Sequence, residues 1–77
     1  MLSPEQSRAA RGWLDWSQGD LAKRANVSLS TVRDFEKGRR TPIGNNLQAI
    51  ERALTEAGVW MLSEENRAVG IRSAAKS

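Results

Sequence analysis

Along the chain the apolar positions recur at two different periods, and the change falls at Gly58. Up to there they stand three and four residues apart, as on the buried stripe of a helix; beyond it they come in two short runs, as in strands. Residues 17–38, SQGDLAKRANVSLSTVRDFEKG, predict two short helices separated by a break at Ala25-Asn26-Val27. Ser17 can cap the first, with Asp20 three residues on as in a capping box and Trp16 and Leu21 at the staple positions. Ser28 caps the second the same way, Val27 and Val32 form its staple pair, and Gly38 is the expected left-handed stop. On that second helix Val32, Phe35 and Glu36 share the inner face. Ser30, Arg33, Asp34 and Lys37 fall at i, i+3, i+4 and i+7 on the other. A short polar and basic stripe, on a helix held at an angle by its predecessor, has the dimensions and donors for a DNA major groove.

The flanking segments supply the rest of a small core. Ser3-Pro4-Glu5-Gln6 opens a helix, with Ser3 as N-cap, Pro4 in the first position and Gln6 completing a capping box; it runs to about Leu14. Its inward stripe is Ser7, Ala10, Arg11 and Leu14, so Arg11 is a charge on an otherwise apolar face and needs a partner. Trp16 is read as packing that staples Leu21 rather than as a base-stacking surface. Trp13 either covers the C-terminal segment or lies half exposed. Past Gly38, Pro42 prevents the loop from continuing as helix. A fourth helix follows, capped by Asn45 or Asn46, with Leu47, Ile50, Leu54 and Ala57 inward and Gly58 as its stop. These close the core with Leu14, Leu21, Ala22, Ala25, Val27, Val32 and Phe35.

After Gly58 the residues read as a strand at 59–62, a polar turn at 63–68 and a second strand at 69–72. A lone two-stranded hairpin is marginal in water, so it must pack on the helices or pair with another chain. Alternation sets Trp60 on the face opposite Val59 and Met61. A dimer contact of Val59, Trp60, Met61, Leu62, Val69 and Ile71 is the expectation, because an exposed apolar edge otherwise invites aggregation. Residues after about Ser73 are small and polar and are expected to be disordered. The expected fold is mainly α: a four-helix domain over 1–58, a β-hairpin or strand segment of the same domain at 59–72, and a tail at 73–77.

Composition narrows the chemistry. Seventy-seven residues suit one domain with a small core, which makes oligomerisation a physically reasonable source of stability. Twelve Lys plus Arg against nine Asp plus Glu give a net charge of only +3, but Lys37, Arg39 and Arg40 crowd just past the second motif helix, as on a phosphate-facing edge. With no cysteine and no histidine, thiol catalysis, zinc fingers and imidazole chemistry drop out together. Glu64-Glu65 and Asp15 are carboxylates without a nucleophile-base set around them, so no enzyme, metal, cofactor or small-molecule ligand is expected. No basic segment followed by an apolar one opens the chain, and the run at 59–62 is too short to span a bilayer. A cytoplasmic, nucleoid-associated protein with no membrane contact is the expectation, with no room in this length for a ligand-sensing or cleavage domain.

The pattern Gln18, Leu21-Ala22, Val27-Ser28, Thr31-Val32, Phe35-Glu36, Gly38 and Pro42 resembles the phage-repressor type of helix-turn-helix, the Cro-like or XRE-type family, over roughly the first three quarters of the chain. Because several spaced positions coincide, the likeness is more specific than one short motif. It implies a compact helical domain that binds double-stranded DNA, usually as a homodimer. It also implies that Arg11 pairs with Glu36, since members often tie these two helices by an Arg-Glu pair, and that Gln18 takes the phosphate-contacting position. Some members carry an apolar strand and a second short strand after the last helix, joined by a glycine-rich turn that is absent here.

The reading of the chain as a DNA-binding protein assigns roles to its residues. Sequence readout falls to Leu29, Ser30, Thr31, Arg33 and Asp34, with Arg33 able to give guanine two parallel hydrogen bonds and Leu29 placed for a thymine methyl. Asp34 either accepts from cytosine N4 or pairs with Lys37 or Arg33. Phosphates fall to Ser17 and Gln18 on one flank and to Lys37, Arg39, Arg40, Thr41, Asn45 and Asn46 on the other. The expected function is a transcriptional regulator reading an inverted-repeat operator, the helix over about 28–37 entering the groove. The alternative is an antitoxin-like or antiactivator module whose C-terminal segment grips a protein partner, with DNA binding secondary.

Overall fold

The computed structural model of the chain describes residues 2–64 and 67–73. Four helices, α1 (Pro4–Leu14), α2 (Gln18–Ala25), α3 (Leu29–Glu36) and α4 (Gly44–Glu56), precede strands β1 (Val59–Glu64) and β2 (Arg67–Ser73). Local chemistry explains each helix start but one. At Ser3 and at Ser17 both halves of a capping box are made, with Gln6 and Asp20 reaching back to the cap backbone. Ser28 caps α3 by accepting from the Thr31 backbone, and the Ser28 and Thr31 hydroxyls lie 2.7 Å apart. Helix α4 departs from expectation: its N-cap is Ile43, which offers no side-chain hydrogen bond, while Asn45 and Asn46 lie inside the first turn. Ile43 itself takes the extended conformation of an N-cap (φ −60°, ψ 153°), and the helix starts at the next residue, Gly44.

The core sits where α2, α3 and α4 meet over α1. Leu21, Val32, Ile50 and Leu54 are fully buried, joined by Ala10, Ala22, Ala25, Phe35, Leu47 and Ala53, with Leu14, Trp16 and Val27 packed partly against them. Ala53, rather than Ala57, carries the inner stripe of α4, since Ala57 is already its C-cap. Left-handed residues end α1 and α2 at Asp15 and Asn26, and glycines take that conformation at Gly38 and Gly58. Short polar side chains tolerate it at a modest cost, which keeps the α2–α3 turn tight. No helix of the described residues is long and apolar enough to cross a membrane.

Strands β1 and β2 pair antiparallel from Val59↔Ser73 to Glu64↔Arg67. They reach further into the polar residues than the hydrophobic pattern alone predicts, leaving only positions 65–66 between them. The register slips between Leu62 and Ser63, so Val69 has no partner across the ladder. Gln6 occupies that irregularity. It is 3% exposed, and its Nε2 donates to the carbonyl oxygens of Leu62 and Gly70, both at 2.8 Å, while its Oε1 accepts from the Ser3 backbone. One buried carboxamide thus caps α1 and fastens the hairpin to it, with every donor and acceptor used.

Alternation gives the hairpin two unlike faces. Val59 is fully buried, and Met61 and Ile71 pack against the core, whereas Trp60 and Leu62 are 42% and 40% exposed. Val59 therefore leaves the expected dimer contact: the monomer core consumes it, as it also consumes Leu2. Met61 and Ile71 are half taken. The Val69 side chain lies outside the described residues, as do the turn tip at 65–66 and residues 74–77 of the tail expected to be disordered, whereas Ser73 belongs to β2, where it pairs with Val59.

Candidate nucleic-acid interface

Helix α3 is positioned from its last turn. Glu36 is 2% exposed and faces into the protein, where its carboxylate accepts from Arg11 at both oxygens, with Nη2 to Oε1 at 2.7 Å and Nε to Oε2 at 2.9 Å. Ser7 Oγ donates to Oε2 at 2.5 Å and Gln18 Nε2 to Oε1 at 3.1 Å. Arg8 meets the Glu36 carbonyl, and Arg11 also reaches the Trp16 carbonyl at 3.1 Å. Burial pushes the Glu36 carboxyl up, but hydrogen bonds from Arg11, Ser7 and Gln18 outweigh it and hold it below the usual carboxylate range. The bond to Glu36 correspondingly raises the Arg11 guanidinium. The charge pair inferred from family resemblance is thus present, and it belongs to a larger network in which Ser7 and Gln18 are members that sequence reasoning missed. A buried serine beside an arginine on the inner stripe of α1 was the available signal.

With Glu36 and Val32 turned inward, the opposite side of α3 is open. Ser30, Arg33 and Lys37 are exposed, Leu29 is 42% exposed, and Thr31 and Asp34 are half-buried. Ser30, Thr31 and Asp34 form one wall of an open groove whose other wall is Arg40, Thr41, Pro42, Ile43 and Asn46. Candidate base-reading and phosphate residues therefore face each other across a single furrow, flanked by exposed Arg39, Lys37 and Asn45. Among the described residues the only ion pair is Arg11–Glu36, so Asp34 is not drawn to Lys37 or Arg33. Ile43, 69% exposed on this rim, was absent from the sequence assignment because an apolar N-cap gives no signal of its own.

The other flank is more constrained than the sequence implies. Ser17 spends its Oγ and its backbone N–H on Asp20, at 2.9 Å each, which also holds the Asp20 carboxyl below its ordinary range. Gln18 is half-buried with one amide hydrogen committed to Glu36, leaving its second for an outside acceptor. Trp16 packs partly on the core and carries the Arg24 guanidinium 4.8 Å from its ring centroid, which agrees with a packing role.

A family model described as helix-turn-helix matches residues 8–57, from the middle of α1 through the end of α4. The chain belongs to this helix-turn-helix family. It is similar to a solution structure of the DNA-binding domain of the P22 c2 repressor, with 34% identity and a TM-score of 0.63 over 71% of this chain and 72% of that one. That likeness confirms the phage-repressor, XRE-type character and the four-helix core. Over 50 residues the chain is 40% identical to multiprotein-bridging factor 1 of the fission yeast Schizosaccharomyces pombe. The match covers 65% of this chain but only 32% of that relative, about a third of its length.

Proposed function

We propose that this helix-turn-helix protein is a sequence-specific regulator of transcription that reads an inverted-repeat operator as a homodimer in the cytoplasm, with α3 in the major groove. One observation carries the reading: the four-membered Glu36 network and Val32 fix α3 from inside while Ser30, Arg33 and Lys37 are left to solvent. Leu29, Ser30, Thr31, Arg33 and Asp34 then meet base edges, and Arg33 sets preference for guanine. Gln18 with the start of α2, and Lys37, Arg39, Arg40, Thr41, Asn45 and Asn46 beyond α3, hold the phosphates on either side. Ser17 contributes as the cap that shapes the α2 terminus. Two copies about a twofold axis address half-sites about 34 Å apart.

Selection of bound fragments from random duplex DNA tests this. Winners with twofold symmetry and half-sites about one helical turn apart support it; winners without symmetry remove the dimeric operator, and no enrichment at low salt removes DNA recognition. The second reading, a module that grips another protein, draws on the name of the bridging-factor relative and on the exposure of Trp60 and Leu62. Co-purification of a partner that is lost on Trp60→Ala distinguishes it.

A further inference from the structure

The outward face of the hairpin contains a glycine that nothing inside the chain requires. Gly70 pairs with Leu62 in the middle of the ladder. Its backbone is not among the left-handed positions of the described residues, which are Asp15, Asn26, Gly38 and Gly58. A β-carbon added there meets no atom of the described residues within 4 Å. Glycine inside a strand costs backbone entropy and packs no side chain, and such a position is where another surface approaches closely. The missing side chain leaves a notch beside Leu62. Next along the same face Trp60 pairs with exposed Arg72.

This arrangement matches itself. When a second copy is turned by 180° about an axis parallel to the strands and laid face to face, β1 of each copy lies over β2 of the other. Leu62 then stands over the second copy's Gly70, a knob over a notch, and Trp60 over the second copy's Arg72. We infer that the outer hairpin face is a self-complementary docking surface for a second copy of this chain, in which Leu62 fills the Gly70 notch and Trp60 takes the guanidinium of Arg72. The charge relation is favourable: an aromatic face is electron-rich, so Arg72 meets attraction where two basic copies would otherwise repel. Each contact occurs twice, as a twofold interface requires. Gln6 keeps the face rigid by tying both strands to α1.

Two strands about 4.8 Å apart make a face well below the roughly 800 Å² per partner of a standard interface. Association of the free protein is therefore weak, on the order of micromolar or weaker, and is completed when both copies sit on one DNA. The inference rests on the homodimer reading above and specifies its surface.

Sedimentation equilibrium of the full chain, alongside circular dichroism, tests it with Gly70→Val, Gly70→Ala and Trp60→Ala. The parent should self-associate, and Gly70→Val should weaken association about tenfold or more while melting no lower than the parent, because the notch is overfilled but the strand is not. Gly70→Ala should weaken it less, and Trp60→Ala should weaken it without loss of helicity. If Gly70→Val associates like the parent while Trp60→Ala does not, the notch is refuted and the hairpin dimer stands. If both variants match a dimeric parent, the dimer forms through another surface. A parent monomeric at about millimolar concentration overturns surface and homodimer together, and one that instead binds a different protein through Trp60 overturns the choice of a second copy.

Discussion

Arg11→Ala exposes how much of the seating of α3 depends on one ion pair. The substitution strands a carboxylate whose side chain is 1% exposed and takes away its bonds at both oxygens, leaving only Ser7 and Gln18. Removing one partner of a buried pair costs about 3 to 5 kcal/mol. A 77-residue domain holds about 4 to 12 kcal/mol in all, so the loss is a large share. At about 4 to 8 °C per kcal/mol, the melting temperature at pH 7 should fall by about 12 °C or more. The pH dependence should also change sign. In the parent the folded Glu36 pKa lies below its ordinary value of 4.5, so its contribution is complete above that value and is lost as the pH falls toward the folded one. In Arg11→Ala burial, the largest influence on this carboxyl, is opposed by two neutral donors, and the folded pKa rises above the unfolded one. The variant then gains stability as the pH falls from 7 through that raised value, while the parent, with no histidine to titrate, stays nearly level down to about pH 5. Thermal melts at 222 nm at pH 7 and pH 5 decide it. A variant that melts within about 4 °C of the parent at pH 7, or that fails to gain on acidification, refutes the reasoning.

Three further outcomes are expected. Arg33→Ala should relax preference at one base pair by about 1 to 3 kcal/mol, whereas Arg40→Ala should weaken all sequences alike and lower the salt slope by about 1, as read by titration against operator and random duplexes. Gln6→Leu should leave the Leu62 and Gly70 carbonyls unpaired at a cost of about 1 to 3 kcal/mol each, seen as early hydrogen exchange of the hairpin amides with the helices still protected. Ile43→Ser should supply the missing cap of α4 and stabilise the fold by about 1 kcal/mol, since a side chain 69% exposed gives up little packing; an unchanged melt would count against the uncapped start.

The helices were legible because their signals are local. Ser3-Gln6, Ser17-Asp20 and the spacing of Leu21, Val32, Phe35, Ile50 and Leu54 each fix a start or a buried stripe within one turn of chain. The exposure of Ser30, Arg33 and Lys37 followed from the same periodicity. What stayed hidden depends on partners far along the chain. Nothing near Gln6 says that its amide reaches Leu62 and Gly70, nothing near Gln18 points to Glu36, Ser7 gives only the hint of sharing an inner stripe with Arg11, and Val59 looked available although the core buries it. Asn45 and Asn46 were misplaced for the opposite reason, because a local capping signal was present but the helix starts two residues earlier behind Ile43, whose side chain cannot cap.

The carbonyls that Gln6 joins lie 56 and 64 residues downstream of it. Closing loops of that length is entropically slow compared with assembling neighbouring helices, so the expected order is the α-helical cluster first and the hairpin last, read as late protection of the hairpin amides in pulsed hydrogen exchange. Until that late step the amide of Gln6 is answered by water and Val59 has no roof. A chain still emerging from synthesis would therefore own α3 before it owned a seated hairpin.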